Sequence, residues 1–118
     1  MDQTYKDELQ GLGIDVNSAI ERVMNNEDFY ARLLGMFLDD DNFSKLKESV
    51  AAGDIKASFE AANALKGIVG NLGLNNLYEI VAPMTEVLRS GQITGIQDSV
   101  NQLEERYNAV VDVIKKHK

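Results

Sequence analysis

Cysteine is absent from these 118 residues, and histidine occurs once, at His117, next to the last lysine. Without cysteine the chain has no disulfide, no thiolate metal site and no Cys nucleophile, a composition suited to a reducing cytoplasm. One histidine near the chain end leaves no Ser–His–Asp set to assemble. It also removes the inward Glu-x-x-His pairs on which di-metal helical bundles rest, so no metal or other cofactor is expected. Nowhere do about 18 apolar residues run together, so no membrane span is expected. The start, MDQTYKDELQ, has neither the basic region nor the apolar core of a signal peptide. Positive charge is scarce: the net charge of −7 argues against a nucleic-acid backbone as partner. The only basic cluster, Lys115, Lys116, His117 and Lys118, falls where cations complement the end of a helix.

Two acidic or glycine-rich runs fail as ligand sites. Counted from Asp39, DDDNFSKLKESV has Ser44 where a calcium loop needs Gly and Val50 where it needs Glu. GIVGNLG fits neither the dinucleotide fingerprint nor the P-loop, and no strand precedes it. Met24, Met36 and Met84 are read as core filling rather than as the lining of a haem-sized pocket. Nothing supports a self-contained enzyme.

What is present is helical periodicity, almost everywhere, with little β-branched alternation. The clearest case is the last segment, where Ile96, Val100, Leu103, Tyr107, Val110 and Ile114 form one seam, with Thr94 as expected cap. A helix capped by Asn26 is expected to turn Phe29, Leu33, Met36 and Phe37 inward. The next carries Phe43, Leu46 and Val50 and closes at Gly53. Asp54 opens a long helix that stops at Gly73. Asn75 or Asn76 opens another, with Leu77, Ile80, Met84 and Val87 inward, Pro83 inside and Gly91 closing it. DVNSAIERVMNN makes a short helix ahead of these. Short connections make sequential helices antiparallel. The expected architecture is therefore all-α: an up-down-up-down four-helix bundle with short N-terminal helices, one domain over residues 1–118.

The long helix raises a question. Gly67, Gly70 and Gly73 recur every third residue, although an interior Gly costs a helix roughly 1 kcal/mol relative to Ala. At 100° per residue, Ile55, Ala62, Leu65, Val69 and Leu72 define the buried face, which leaves Asn63 roughly 140° away, facing water. Gly67 and Gly70, four and seven residues on, follow Asn63 along one stripe, flanked by Lys56, Phe59 and Lys66. The glycines then bare the solvent side so that another macromolecule can press against it. The contrary reading is that they are tolerated, or that they admit the N-terminal helix.

The run Ala62-Asn63-Ala64-Leu65-Lys66-Gly67, followed by Asn71-Leu72-Gly73, resembles the histidine phosphotransfer (HPt) signature H-x-L-K-G-x-x-x-x-L-G. The Ala/Phe-rich half-turn before it, the LYEIV helix after it and the long last helix extend the resemblance over essentially the whole chain. The resemblance implies a four-helix bundle that passes phosphoryl groups to and from receiver domains of response regulators or hybrid histidine kinases. It assigns charge neutralisation to Lys66 and clearance for the receiver to Gly67, with Lys56, Phe59, Asn63 and Gly70 completing a docking set. The departure lies at the nucleophile position, which holds Asn63. An imidazole offers a free nitrogen lone pair for a phosphoramidate, whereas a carboxamide nitrogen is delocalised into its carbonyl. The expectation is a cytoplasmic pseudo-HPt domain that docks receivers without carrying phosphate. Two alternatives stand beside it: a working phosphotransferase in which Asn63 is an introduced substitution, or a bundle whose partner is unrelated to phosphorelay.

Overall fold

Four helices begin at an Asp or Asn whose side chain accepts the backbone N–H three residues on: Asp2 from Tyr5, Asp15 from Ser18, Asn26 from Phe29 and Asp54 from Ala57. Each bond satisfies one of the N–H groups that a helix start leaves without a partner. A computed structural model, which describes residues 1–118, contains seven helices and no strand. They are α1 (Gln3–Gly11), α2 (Val16–Arg22), α3 (Glu27–Phe37), α4 (Asn42–Ala51), α5 (Ile55–Asn71), α6 (Asn75–Arg89) and α7 (Ile96–Lys116).

Helices α4 to α7 form the bundle. Each packs on its sequence neighbour, and α7 returns to α4, where Tyr107 lies against Phe43 with ring centroids 4.5 Å apart. The turns are tight because Gly53, Gly73 and Gly91 take positive φ just beyond the helix ends. The α7 seam is buried as its spacing predicts, at Ile96, Val100, Leu103, Val110 and Ile114, with Tyr107 half-buried. Burying such a side chain is worth about 2 kcal/mol, which is why α7 holds the bundle shut without special caps.

The N-terminal helices add a strap that grips the C-terminal ends of α7 and α5. At the end of α7, His117 stacks on Tyr5 at 4.5 Å, and Lys116 Nζ reaches Glu8 Oε1 at 2.9 Å. At the end of α5, Arg22 donates to the Gly70 carbonyl at 2.8 Å and the Tyr30 hydroxyl donates to the Leu72 carbonyl at 2.6 Å. Both carbonyls lie at the C-terminal end of α5, where helices leave acceptors short of partners; the Gly70 carbonyl also accepts from the Gly73 N–H. Burial of its ring pushes the Tyr5 phenol up to about 12, and burial also raises Tyr30 and Tyr107.

Several expected details differ. On α3 the buried residues are Tyr30, Leu34 and Phe37, so the inward face is rotated by one position; Phe29 is 41% and Met36 61% exposed. The Tyr30 hydroxyl needs the Leu72 carbonyl, and that bond selects the face. Met24 is 90% exposed in a left-handed turn, so of the three methionines read as core only Met84 is buried. On α6 the inward set is Leu77, Val81, Met84, Thr85 and Leu88, with Val87 turned out. Helix α7 starts at Gly95, whose φ is 80°, and not at a Thr94 cap. Leu74 precedes α6 with no side-chain cap.

Gly73 combines two constraints. Its φ is +70°, and a Cβ there would lie 2.8 Å from the Ala19 Cβ on α2. Gly73→Ala is expected to cost about 1–3 kcal/mol of stability in urea unfolding, since it adds backbone strain to overpacking. A second expectation concerns pH. Hydrogen bonds from Lys116 and then His117 hold the Glu8 carboxyl below its ordinary value. Such a group stabilises the fold above the unfolded carboxylate pKa of about 4.3, and the contribution is lost as pH falls through the lower folded value. Glu8→Gln therefore lowers the melting temperature at neutral pH, and the gap from wild type closes as melts are taken below pH about 4.

Candidate functional site

Helix α5 owes its orientation to Ala61, Ala62, Leu65 and Val69, all buried between its neighbours. Ser58, also buried, meets the Ser49 hydroxyl of α4 at 3.1 Å. These contacts leave Lys56, Asn63, Ala64 and Gly67 exposed along the outer face. The rotation read from the sequence is the one that forms.

The three glycines do different things. A Cβ on Gly67 would meet nothing within 4 Å, so the surface four residues beyond Asn63 is open. A Cβ on Gly70 would touch Tyr78 of α6, with Cε2 at 3.3 Å, and the Gly70 carbonyl is already taken by Arg22. Gly70 is half-buried in the floor of a cavity of about 300 Å³, together with Arg22, Val69, Gly73, Asn75 and Tyr78. Gly73 is filled against α2. The bare stripe thus ends after Gly67, and the expectation that Gly70 belongs to an open face is corrected by the chain's own Tyr78 and Arg22. The contrary reading, that Gly67 and Gly70 admit the N-terminal helix, fails at Gly67, which has nothing near it, whereas at Gly70 Arg22 of α2 does reach the backbone.

The α6 edge supplies residues that the sequence reasoning missed. Phe59 is half-buried under the Arg89 guanidinium, 4.9 Å from its ring centroid. Such stacking holds a cation beside an aromatic face while leaving it in water. Lys66 Nζ lies 3.9 Å from Glu86 Oε1, and Glu86 Oε2 lies 3.3 Å from Arg89 Nε. Asn63 is therefore bracketed on the α6 side by Lys66 and by the Phe59–Arg89 pair. Lys56 is exposed seven residues, about two turns, before Asn63 on the same face.

His117 is no substitute nucleophile. Its ring is packed on Tyr5, with Nε2 3.1 Å from Glu8 Oε1, and serves the α1–α7 contact. Nowhere do three His, Asp or Glu side chains gather as a ligand set for a metal ion. No helix is long and apolar enough to cross a membrane.

The bundle thus presents an exposed Asn63, followed by Lys66 and Gly67, on its second helix. The Hpt domain family model matches residues 32–113, more than two thirds of the chain, and the chain belongs to that family. Hpt domains are phosphorelay modules that interact with receiver domains and carry phosphoryl groups rather than catalyse reactions. Comparison with curated proteins gave no match, and neither did comparison with solved structures.

Gly67 is at a helix interior with free space around it, so its conservation of space is bought with helix propensity alone. Gly67→Ala is expected to raise unfolding free energy by roughly 1 kcal/mol. Gly70→Ala is expected to gain less, because Tyr78 must move aside. Paired urea titrations of the two variants check the order.

Proposed function

We propose that this chain docks receiver domains of response regulators or hybrid histidine kinases through the outer face of α5 and does not itself carry phosphate. The observation that supports the reading is the exposed Asn63 beside the open surface at Gly67, with Lys66 next to it. The family's chemistry requires an imidazole at that position. A carboxamide nitrogen, its lone pair committed to the carbonyl, does not attack a phosphoaspartate. Asparagine keeps the size and the hydrogen-bonding capacity of one side of the ring, so a surface fitted to a receiver survives the exchange.

The docking set is Lys56, Phe59, Asn63, Lys66 and Gly67, with Gly70 reduced to support beneath Tyr78. Receiver active sites are acidic, and Lys56, Lys66 and Arg89 form a local positive region on a chain of net charge −7. Complementarity of this kind acts mainly on association rate and weakens with salt. Contacts of this class are small and transient. Receivers work in the cytoplasm, and that is the compartment proposed for this domain. Its role there is that of a competitor, scaffold or adaptor within a phosphorelay.

The test is a binding and transfer assay against a panel of receiver domains, with three proteins side by side. The wild type is expected to bind at least one receiver and to acquire no acid-labile label from its phosphorylated form. Gly67→Leu is expected to weaken that binding by at least about tenfold, equivalent to about 1.4 kcal/mol, while the fold is retained. Asn63→His is expected to bind as the wild type does and to accept phosphate. A label on the wild-type protein defeats the proposal, as does an absence of receiver binding across the panel.

A further inference from the structure

Two cations beside Asn63 share a single acid. Lys66 Nζ is 3.9 Å from Glu86 Oε1 and Arg89 Nε is 3.3 Å from Glu86 Oε2. Lys66 follows Asn63 by three residues, and Phe59, which seats Arg89, precedes it by four. Both spacings make neighbours on a helix surface, so Glu86 stands between the two cations on the α6 rim of the face. The Lys66 contact is the longest of the chain's lysine pairs, against Lys6–Glu27 at 2.9 Å, Lys45–Asp41 at 3.4 Å, Lys47–Glu104 at 3.0 Å and Lys116–Glu8 at 2.9 Å. Glu86 is 59% exposed and Arg89 53%, so water screens both contacts and neither binds its partner firmly.

We infer that Glu86 is an internal competitor at the docking face, holding Lys66 and Arg89 against its own carboxylate until a stronger acid displaces it. The occupant that fits is the acidic site of a receiver domain, so the inference rests on the docking reading. The physical consequence is selectivity. A partner bringing a weak negative field gains little, because one unit of charge is already neutralised and Glu86 repels it. A partner presenting several carboxylates, or a phosphoryl group beside them, draws both cations away. Lys56, which forms no ion pair although Glu60 follows it by four residues, gives general attraction, while Lys66 and Arg89 supply discrimination.

Two variants carry the same change of net charge. Glu86→Gln removes the competitor; Asp112→Asn removes an exposed acid on α7. The receiver-free measurement is an inorganic phosphate titration followed by nuclear magnetic resonance at the Arg89 Nε–H and the Asn63 side-chain amide. Glu86→Gln is expected to respond at about threefold lower phosphate than wild type, with Asp112→Asn unchanged. With a receiver, the Glu86→Gln association rate should rise by a similar factor at low salt, and the difference should close near 0.5 M salt, where screening is short-ranged. Equal responses of Glu86→Gln and wild type to phosphate overturn the inference. A weaker response overturns it too, since Glu86 would then be positioning the cations instead of competing for them. Failure of every protein to bind a receiver, with the phosphate difference intact, defeats the docking reading and leaves the competition at Lys66 and Arg89 standing.

Discussion

The packing of Ala61, Ala62, Leu65 and Val69 between α4 and α6 fixes which way α5 faces, and the surface around residue 63 follows from it. Rolling the helix by one position would carry Asn63 or Lys66 toward the interior. Burying an amide without a partner costs roughly 2–7 kcal/mol, and exposing a residue such as Leu65 forfeits about 2 kcal/mol more. Marginal stability of about 5–15 kcal/mol does not tolerate that rotation. The exposure of Asn63 is thus a property of the core and owes nothing to Asn63 itself.

The strap formed by α1 to α3 completes the same helix from its far end. At the end of α5 Tyr30 donates to the Leu72 carbonyl, and Arg22 adds a second donor to the Gly70 carbonyl, which also accepts from the Gly73 N–H. Arg22 also places a positive charge at the negative end of the helix dipole. Gly70 is drawn into this arrangement because its carbonyl and its bare α-carbon are what Arg22 and Tyr78 approach. Gly73 is drawn in more tightly, against Ala19 of α2. The threefold recurrence of glycine therefore looks like one stripe in the sequence but divides between an internal joint and an open surface.

How far each helix was legible depended on how unevenly its apolar residues are distributed. In α7 the apolar positions occupy one side and its face was read correctly. In α5, where Ala57, Phe59, Ala64 and Ile68 lie off the buried side, Ala62, Leu65, Val69 and Leu72 were read correctly as buried while Ile55 is only half-buried. In α3 the residues Phe29, Tyr30, Leu33, Leu34, Met36 and Phe37 surround much of the helix, so periodicity alone favours two faces almost equally. A hydrogen bond to Leu72, 42 residues away, decides between them, and no local pattern contains it. Helix α1 was expected only in general, as one of the short N-terminal helices, and could not be delimited, because only Tyr5 and Leu9 are buried in it, too few to make a period. Glu86, Arg89 and Tyr78 had a signal that went unused. The tight turn at Gly73 sets α6 back along α5 in reverse order, which brings Tyr78 to Gly70 and Arg89 to Phe59.

Because residue 63 is exposed and the bundle is held by residues elsewhere, the fold places no demand on the side chain there. Histidine and asparagine are alike to the core. They differ only in what they do to a partner: one presents a nucleophile, the other a hydrogen-bonding amide of similar reach. Shape at Gly67 and charge at Lys66 and Arg89 are set by other positions and are untouched by that difference. On the docking reading proposed above, recognition and phosphoryl transfer are separable at this site by a single side chain, so that one substitution can retain the first without the second.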